Sequence, residues 1–323
     1  MTETIPPVTP VAGGIKFHRL INNRTIAPRE RHCLEAAMSE KLSSRFKQPG
    51  LISAPGVFDM ISARIADGMG FDALYMTGYG VVASYLGLPD AGLASYTEMV
   101  GRVQQIASGT RTPLIADGDT GYGGLLNVDF TVRGYEKAGA QAIQIEDQEY
   151  PKKCGHTPGR RVVPIADAAR RIKVAAEARS SKDFLIIART DARTTLGLDE
   201  ALRRGEAFLK AGADVLFIES PESEEEMAKI GKTFDVPLLA NMVEGGRTPI
   251  LSRTELESLG FKLAIFPVAG MLAAGAALRS IYGEIRSEGS SKSWKGELYP
   301  FNDFSRLMGF ERIWEFERDH AEG

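Results

Sequence analysis

From residue 51 onward the chain repeats one alternation: a short run rich in Ile, Leu and Val, then a longer segment with apolar residues at helical spacing. The short runs fall at 51–54, 73–77, 113–116, 142–146, 184–190, 214–219, 237–241 and 261–266. Between them, 58–69, 96–108, 127–138, 166–180, 199–211, 223–233 and 253–259 read as amphipathic helices. Strands apolar on both faces and alternating with helices make a parallel sheet covered by helices. Eight such units close it into a (β/α)8 TIM-type barrel. A doubly wound open sheet alternates in the same way, but its glycine-rich dinucleotide fingerprint is not apparent after the first run. The triplets Ala138-Gly139-Ala140 and Ala211-Gly212-Ala213 sit between a helix and the next strand, where glycine supplies a left-handed stop.

The barrel is flanked on both sides. Residues 1–50 divide into a Pro-, Thr- and Gly-rich arm to about Ala27 and a helix over 30–46, in which Leu34, Met38 and Leu42 recur every four residues. The barrel occupies 51–286, its last helix beginning near Ala269, and a polar loop over 287–296 leads into a tail that ends at 323. That tail is expected to be helical over 301–317. It carries Phe304, Leu307, Met308, Phe310, Ile313, Trp314 and Phe316, so it must cover either its own barrel or a partner subunit.

The 323 residues carry a net charge of −3, which argues against a general nucleic-acid or anionic-membrane surface. No apolar run reaches membrane-spanning length, and the first residues lack the apolar core of a secretory signal. Two cysteines, Cys33 and Cys154, cannot staple a secreted scaffold, so reduced thiols in the cytoplasm are expected. Cys33 is expected to serve packing.

In parallel barrels, function collects at the C-terminal ends of the strands. Those ends here carry Tyr75 and Thr77, Asp117 and Asp119, Glu146 and Asp147, Arg189 and Asp191, Glu219 and Asn241. A single acid after a strand is usually a cap; a polar residue after strand after strand suits a charged substrate and a metal. Asp117-Gly118-Asp119 brings two carboxylates onto one bend, the arrangement Mg²⁺ accepts, although a capping or Ca²⁺-like loop fits the same residues. In Lys152-Lys153-Cys154-Gly155-His156 the thiol lies among positive charges that favour thiolate, and partner ligands at zinc-like spacing are absent.

KKCGH at 152–156, IEDQ at 145–148, ADGDTGYG at 116–123 and ARTDA at 188–192 together resemble the isocitrate lyase/phosphoenolpyruvate mutase superfamily. The resemblance covers about 51–283, and the Cys-Gly-His of the loop is that of its lyase branch. It implies Mg²⁺, replaceable by Mn²⁺, on Asp117 and Asp119, with Glu146 and Asp90 acting through water. It implies that Thr77, Gly78, Tyr79 and Arg189 hold a substrate carboxylate, with Glu219 and Asn241 as further polar contacts. Cys154 is implied as the general acid, with Gly155 and His156 completing its loop. Tyr75 is the candidate acceptor of the C2 hydroxyl proton. A silent barrel used only for binding would have no need of this set.

The superfamily's tricarboxylate lyases place an arginine where this chain has Leu272 and a hydroxyl residue where it has Val243. Its oxaloacetate acetylhydrolases place serine where it has Pro267. The resemblance therefore implies an oxo-acid lyase acting on a 2,3-dimethylmalate- or 2-alkylmalate-type dicarboxylate, with oxaloacetate acetylhydrolase and 2-methylisocitrate lyase as the alternatives. It also implies a homotetramer built from dimers that exchange their C-terminal helices.

Overall fold

The computed structural model describes residues 41–155 and 159–321. The arm, Cys33, most of the helix expected over 30–46 and His156 lie outside the described residues. The described residues form one compact unit.

Eight strands form a closed parallel barrel: β1 Ile52–Val57, β2 Leu74–Met76, β3 Leu114–Asp117, β4 Ala142–Glu146, β5 Leu185–Thr190, β6 Val215–Ile218, β7 Leu238–Asn241 and β8 Leu263–Phe266. β8 returns to β1 in register from Ile52 opposite Leu263 to Pro55 opposite Phe266. Each strand is the both-face apolar run read from sequence, because one face packs inside the barrel and the other against helices. Ile52, Ile115, Ile187, Phe217, Leu239 and Ile265 fill the interior. Their neighbours in the strands, such as Ala116, Ile186 and Ala264, pack outward against the helical ring. Leu42, on the single turn α1 (Leu42–Arg45), joins the interior cluster and is fully buried. Its backbone N–H donates to Gln141 Oε1 at 2.8 Å. It closes the N-terminal mouth of the barrel.

The seven helices expected between the strands are all present, among them α2 (Met60–Gly68), which Asp59 caps by accepting from the Ser62 N–H at 2.8 Å. Gly139 and Gly212 take φ of 100° and 104°, as the helix stops require. Two short helical segments were not foreseen and both lie at the C-terminal mouth. One is α3 (Gly78–Val81), continued by a wider π turn at Val82–Leu86; the other is α7 (Ala192–Leu196), which follows α4 (Tyr96–Gly109), α5 (Leu125–Lys137) and α6 (Ile165–Ala178). Further along lie α8 (Leu198–Lys210), α9 (Glu224–Thr233) and α10 (Arg253–Ser258).

The C-terminal part departs from expectation. α11 (Ala269–Glu288) runs two residues past 286 and stops at Gly289, where φ is 66°. The tail is two helices, α12 (Phe301–Leu307) and α13 (Phe310–His320), rather than one over 301–317. Gly309, at φ 94°, turns the chain between them. No residue of these three helices is fully buried, although Met271 and Ala274 of α11 pack against the core. Among the described residues no helix is long and apolar enough to cross a membrane.

Candidate active site

A cavity of about 270 Å³ opens at the C-terminal mouth. Tyr75 and Thr77 reach it from β2, Asp117 from β3, Glu146 from β4, Arg189 from β5, Glu219 from the end of β6, Asn241 from β7 and Pro267 after β8. Tyr79, Asp90, Lys152, Lys153, Cys154 and Gly155 line it from loops, and Val243, Ile265, Val268, Met271 and Leu272 give it an apolar wall. Of the candidate residues, Gly78 and Asp119 stand just behind the lining. A Cβ on Gly78 would come within 2.6 Å of Asp117 Oδ2, so only glycine lets the β2 loop approach that carboxylate.

Asp117, Asp119, Asp90 and Glu146 converge on one side. Asp117 Oδ1 accepts from the Asp119 N–H at 3.1 Å and from Gln144 Nε2 at 3.2 Å. Asp119 bends with φ 48°, in the left-handed region. Its Oδ1 lies 2.6 Å from Lys152 Nζ, which also reaches Asp90 Oδ1 at 2.5 Å. Burial pushes the Asp119 carboxyl up to about 7, with Asp117 and Asp90 adding to the rise and Lys152 opposing it. Burial works against the Lys152 ammonium too, but Asp119 and Asp90 hold its pKa well above the ordinary lysine range. Among the described residues no three His, Cys, Asp or Glu side chains stand ready to hold a metal by themselves, and Lys152 lies between two of the carboxylates. The donor set nonetheless fits a hard cation that keeps part of its water. It is all oxygen, buried, and richer in acid than one ammonium neutralises.

Arg189 is almost enclosed. Its Nε and Nη2 grip Asp191 Oδ2 and Oδ1 at 2.9 Å each. Nε also lies 3.3 Å from Glu146 Oε2, and Nη2 lies 3.2 Å from Glu219 Oε2. The guanidinium carbon sits 5.1 Å from the centre of the Phe217 ring. Asp191 in turn pairs with Arg160 at 2.5 Å. Burial raises the Glu146 carboxyl well above its usual range despite Arg189. Asn241 Nδ2 donates to Glu219 Oε2 at 3.0 Å, while its buried Oδ1 has no hydrogen-bond partner among the described residues. That oxygen calls for a donor from whatever fills the cavity.

Tyr75 donates to Gln144 Oε1 at 3.0 Å. Burial, then the charge of Asp117, drives its phenol pKa well up, so at rest it is a donor rather than a base. Cys154 is half-buried at the mouth, with its N–H on Asp90 O at 3.1 Å. Gly155 sits against the ion-pair network: a Cβ there would meet Arg189 Nη2 at 2.3 Å and Glu219 Oε2 at 2.8 Å. The Ser220 hydroxyl lies 3.2 Å from Gly155 O and 3.1 Å from Glu219 Oε1, and donates to one or the other.

Several members of the site were not singled out from sequence. Lys152 was read only as a charge near Cys154, although it bridges two acids 62 and 33 positions earlier. Gln144 had a signal: it is a polar residue inside the apolar run of β4. Gln148 closes the IEDQ motif at 145–148 without a role of its own there, and Arg160 and Ser220 give no signal, because their roles appear only once the loop is folded back. Asp147 belongs to the frame rather than the cavity, accepting from Thr190 Oγ1 at 2.6 Å and pairing with Arg204 at 2.9 Å.

The model of the phosphoenolpyruvate phosphomutase family matches residues 42–286, which include all eight strands and every cavity residue. The chain belongs to the phosphoenolpyruvate mutase/isocitrate lyase superfamily. Within that superfamily it is 48% identical over 288 residues to the 2,3-dimethylmalate lyase of Eubacterium barkeri, covering 89% of this chain and 98% of that one. Two solved structures superpose with similar closeness. One is an oxaloacetate acetylhydrolase bound to 3,3-difluorooxalacetate, with TM-score 0.83, 36% identity and coverage of 88% and 97%. The other is a 2,3-dimethylmalate lyase, with TM-score 0.82, 37% identity and coverage of 89% and 95%. The chain is an enzyme, a carbon–carbon lyase of this superfamily. Lyases of the superfamily use a divalent metal.

Proposed function

We propose that the chain cleaves the C2–C3 bond of a 2-hydroxy dicarboxylate of the 2,3-dimethylmalate or 2-alkylmalate type, with Mg²⁺ (or Mn²⁺ in its place), releasing a 2-oxo acid such as pyruvate and a short carboxylate. The observation that carries this reading is the apolar wall. Val243, Ile265, Val268, Met271 and Leu272 face the same cavity as the acids and Arg189. An alkyl group fits that wall, which itself offers no cation to a third carboxylate. Among the described residues the cations of the lining are Lys152, Lys153 and Arg189; carboxylates already hold the first and last, and Lys153 donates to Gly159 O. Leaving a buried carboxylate unpaired costs roughly 2–5 kcal/mol, or about 30-fold and more in binding.

Asp117 and Asp119 would hold the cation, with Asp90 and Glu146 acting through its waters. When bound, it would supply Lewis acidity to the C1 carboxylate and C2 oxygen. Loss of the C2 hydroxyl proton lets the C2–O bond become a carbonyl while the C2–C3 pair leaves with the second fragment as an enediolate. Tyr75 is within the site for that proton, but its raised phenol must first be brought down by positive charge nearby. Arg189, held in place by Asp191 and Phe217, offers charge-assisted donors to the enediolate. Thr77, Gly78 and Tyr79 serve the substrate carboxylate, and Glu219 and Asn241 orient it. Cys154 delivers a proton to C3, completing the short carboxylate. His156 is assigned to the same loop on resemblance alone.

Incubation with Mg²⁺ and a panel of 2-alkylmalates, 2,3-dimethylmalate, methylisocitrate and oxaloacetate tests the reading, with the released keto acid identified. The expected outcome is a 2-oxo acid from an alkylmalate. Higher kcat/KM on methylisocitrate would overturn the argument from Leu272 and Val243. Oxalate from oxaloacetate as the best reaction would overturn the argument from Pro267, which lines the cavity without a side-chain donor.

The reading extends to a cytoplasmic homotetramer made of helix-exchanged dimers. Its support is that α11, α12 and α13 leave Leu278, Tyr282, Phe301, Phe310, Ile313 and Trp314 exposed on a single chain.

A further inference from the structure

The loop that carries Cys154 leaves the end of β4 and returns beside its own start. Gln148 pairs with Val162 in an antiparallel bridge, Glu149 N–H donates to Arg161 O at 2.9 Å, and Val163 N–H donates to Asp147 O at 3.0 Å. Gln148 is buried at this neck. Its carboxamide makes a two-sided contact with one residue of the loop: Lys153 N–H donates to Oε1 at 3.1 Å, and Nε2 donates to Lys153 O at 2.8 Å. Nε2 also donates to Glu146 Oε1 at 2.9 Å. Two acceptors against one end and a donor against the other fix which way the amide faces.

We infer that Gln148 is a positioning residue for bond cleavage. It locks the backbone N–H and C=O of Lys153, between Lys152 and Cys154, to the carboxylate of Glu146. With that backbone fixed, Lys152 reaches Asp90 and Asp119, and the Cys154 N–H reaches Asp90 O. Among the described residues the Lys153 side chain donates to Gly159 O alone, at 3.3 Å, so the hold on this residue is through its backbone. The chemistry explains the residue type. A carboxylate of the same shape would set acceptors against Lys153 O and Glu146, and an aliphatic chain would leave the Lys153 N–H and C=O unpaired. The inference rests on the reading of Cys154 as proton donor.

The test uses Gln148→Leu and the isosteric Gln148→Glu in the full chain. Each is assayed with whichever dicarboxylate of the panel is cleaved, and each is digested with trypsin without substrate, following the cut after Lys153 by mass. The clamp predicts kcat lower by about tenfold or more in both variants with KM within about threefold, because the lost hydrogen bonds position a transition-state group. It also predicts that the cut after Lys153 becomes faster by about fivefold or more. Wild-type kcat in either folded variant, a loss confined to KM, or an unchanged rate of cutting overturns it. So does failure of both variants to fold, which would make Gln148 a residue of the fold alone. Because proteolysis needs no substrate, a mistaken reaction and a mistaken clamp give different results.

Discussion

The proposed chemistry assigns roles to two side chains whose surroundings differ sharply. Cys154 is half-buried on a loop, with its backbone held by Asp90, so its thiol contributes little packing. Cys154→Ser should therefore leave the melting temperature unchanged while kcat falls by about 10²-fold or more, since a hydroxyl is a far weaker acid. A variant with near-normal rate would assign the proton to another residue. Asp119 is fully enclosed, and its carboxyl is lifted to about 7 by burial. A carboxyl raised on folding adds stability that is complete below the unfolded value near 3.8 and is lost as pH rises through about 7. For the cation the sign is opposite, because protonation and metal compete for the same oxygens. Mg²⁺ affinity, read by calorimetry, should fall as pH drops below about 7, by up to ~tenfold per pH unit for one displaced proton. An affinity flat between pH 5.5 and 7.5 would show that Asp119 is not a ligand.

Among the elements, the turn α1 makes the plainest energetic claim. Leu42 is fully buried in the interior cluster at the N-terminal mouth, far along the strands from the cavity. Leu42→Ala should lower stability by ~2–5 kcal/mol in urea unfolding and leave KM unchanged. The barrel was legible because each strand is buried on both faces, so its whole run is apolar and stands out from the helices. The strand-end residues of the cavity were legible for the complementary reason, being polar where the runs stop. The break at Gly309 was not, since the apolar residues on either side keep helical spacing through it. α3 and α7 were missed because four and five residues are too few to show a period. The ion pairs of Lys152 and the clamp by Gln148 were illegible because each joins positions that only the folded loop brings together.

For the whole molecule, the uncovered helices set the expectation. α11, α12 and α13 hold no fully buried residue, and Phe301 is 82% exposed. Burying several such side chains against a second copy is worth ~1.5–3 kcal/mol each. Light scattering of the full chain at micromolar concentration should give a tetramer, and truncation after Tyr299 should dissociate it. A full-length monomer would refute the exchange. The closed ring has one more consequence, for how the chain is made. β1 has no partner on one side until β8 exists, and their paired residues Ile52 and Leu263 are 211 positions apart (263 − 52). At ~5–20 residues per second, the ribosome takes on the order of 10–40 s to supply that partner. Through that interval the nascent chain presents an apolar strand with a bare edge, so its exposure to chaperones and to like chains is set by the clock of translation.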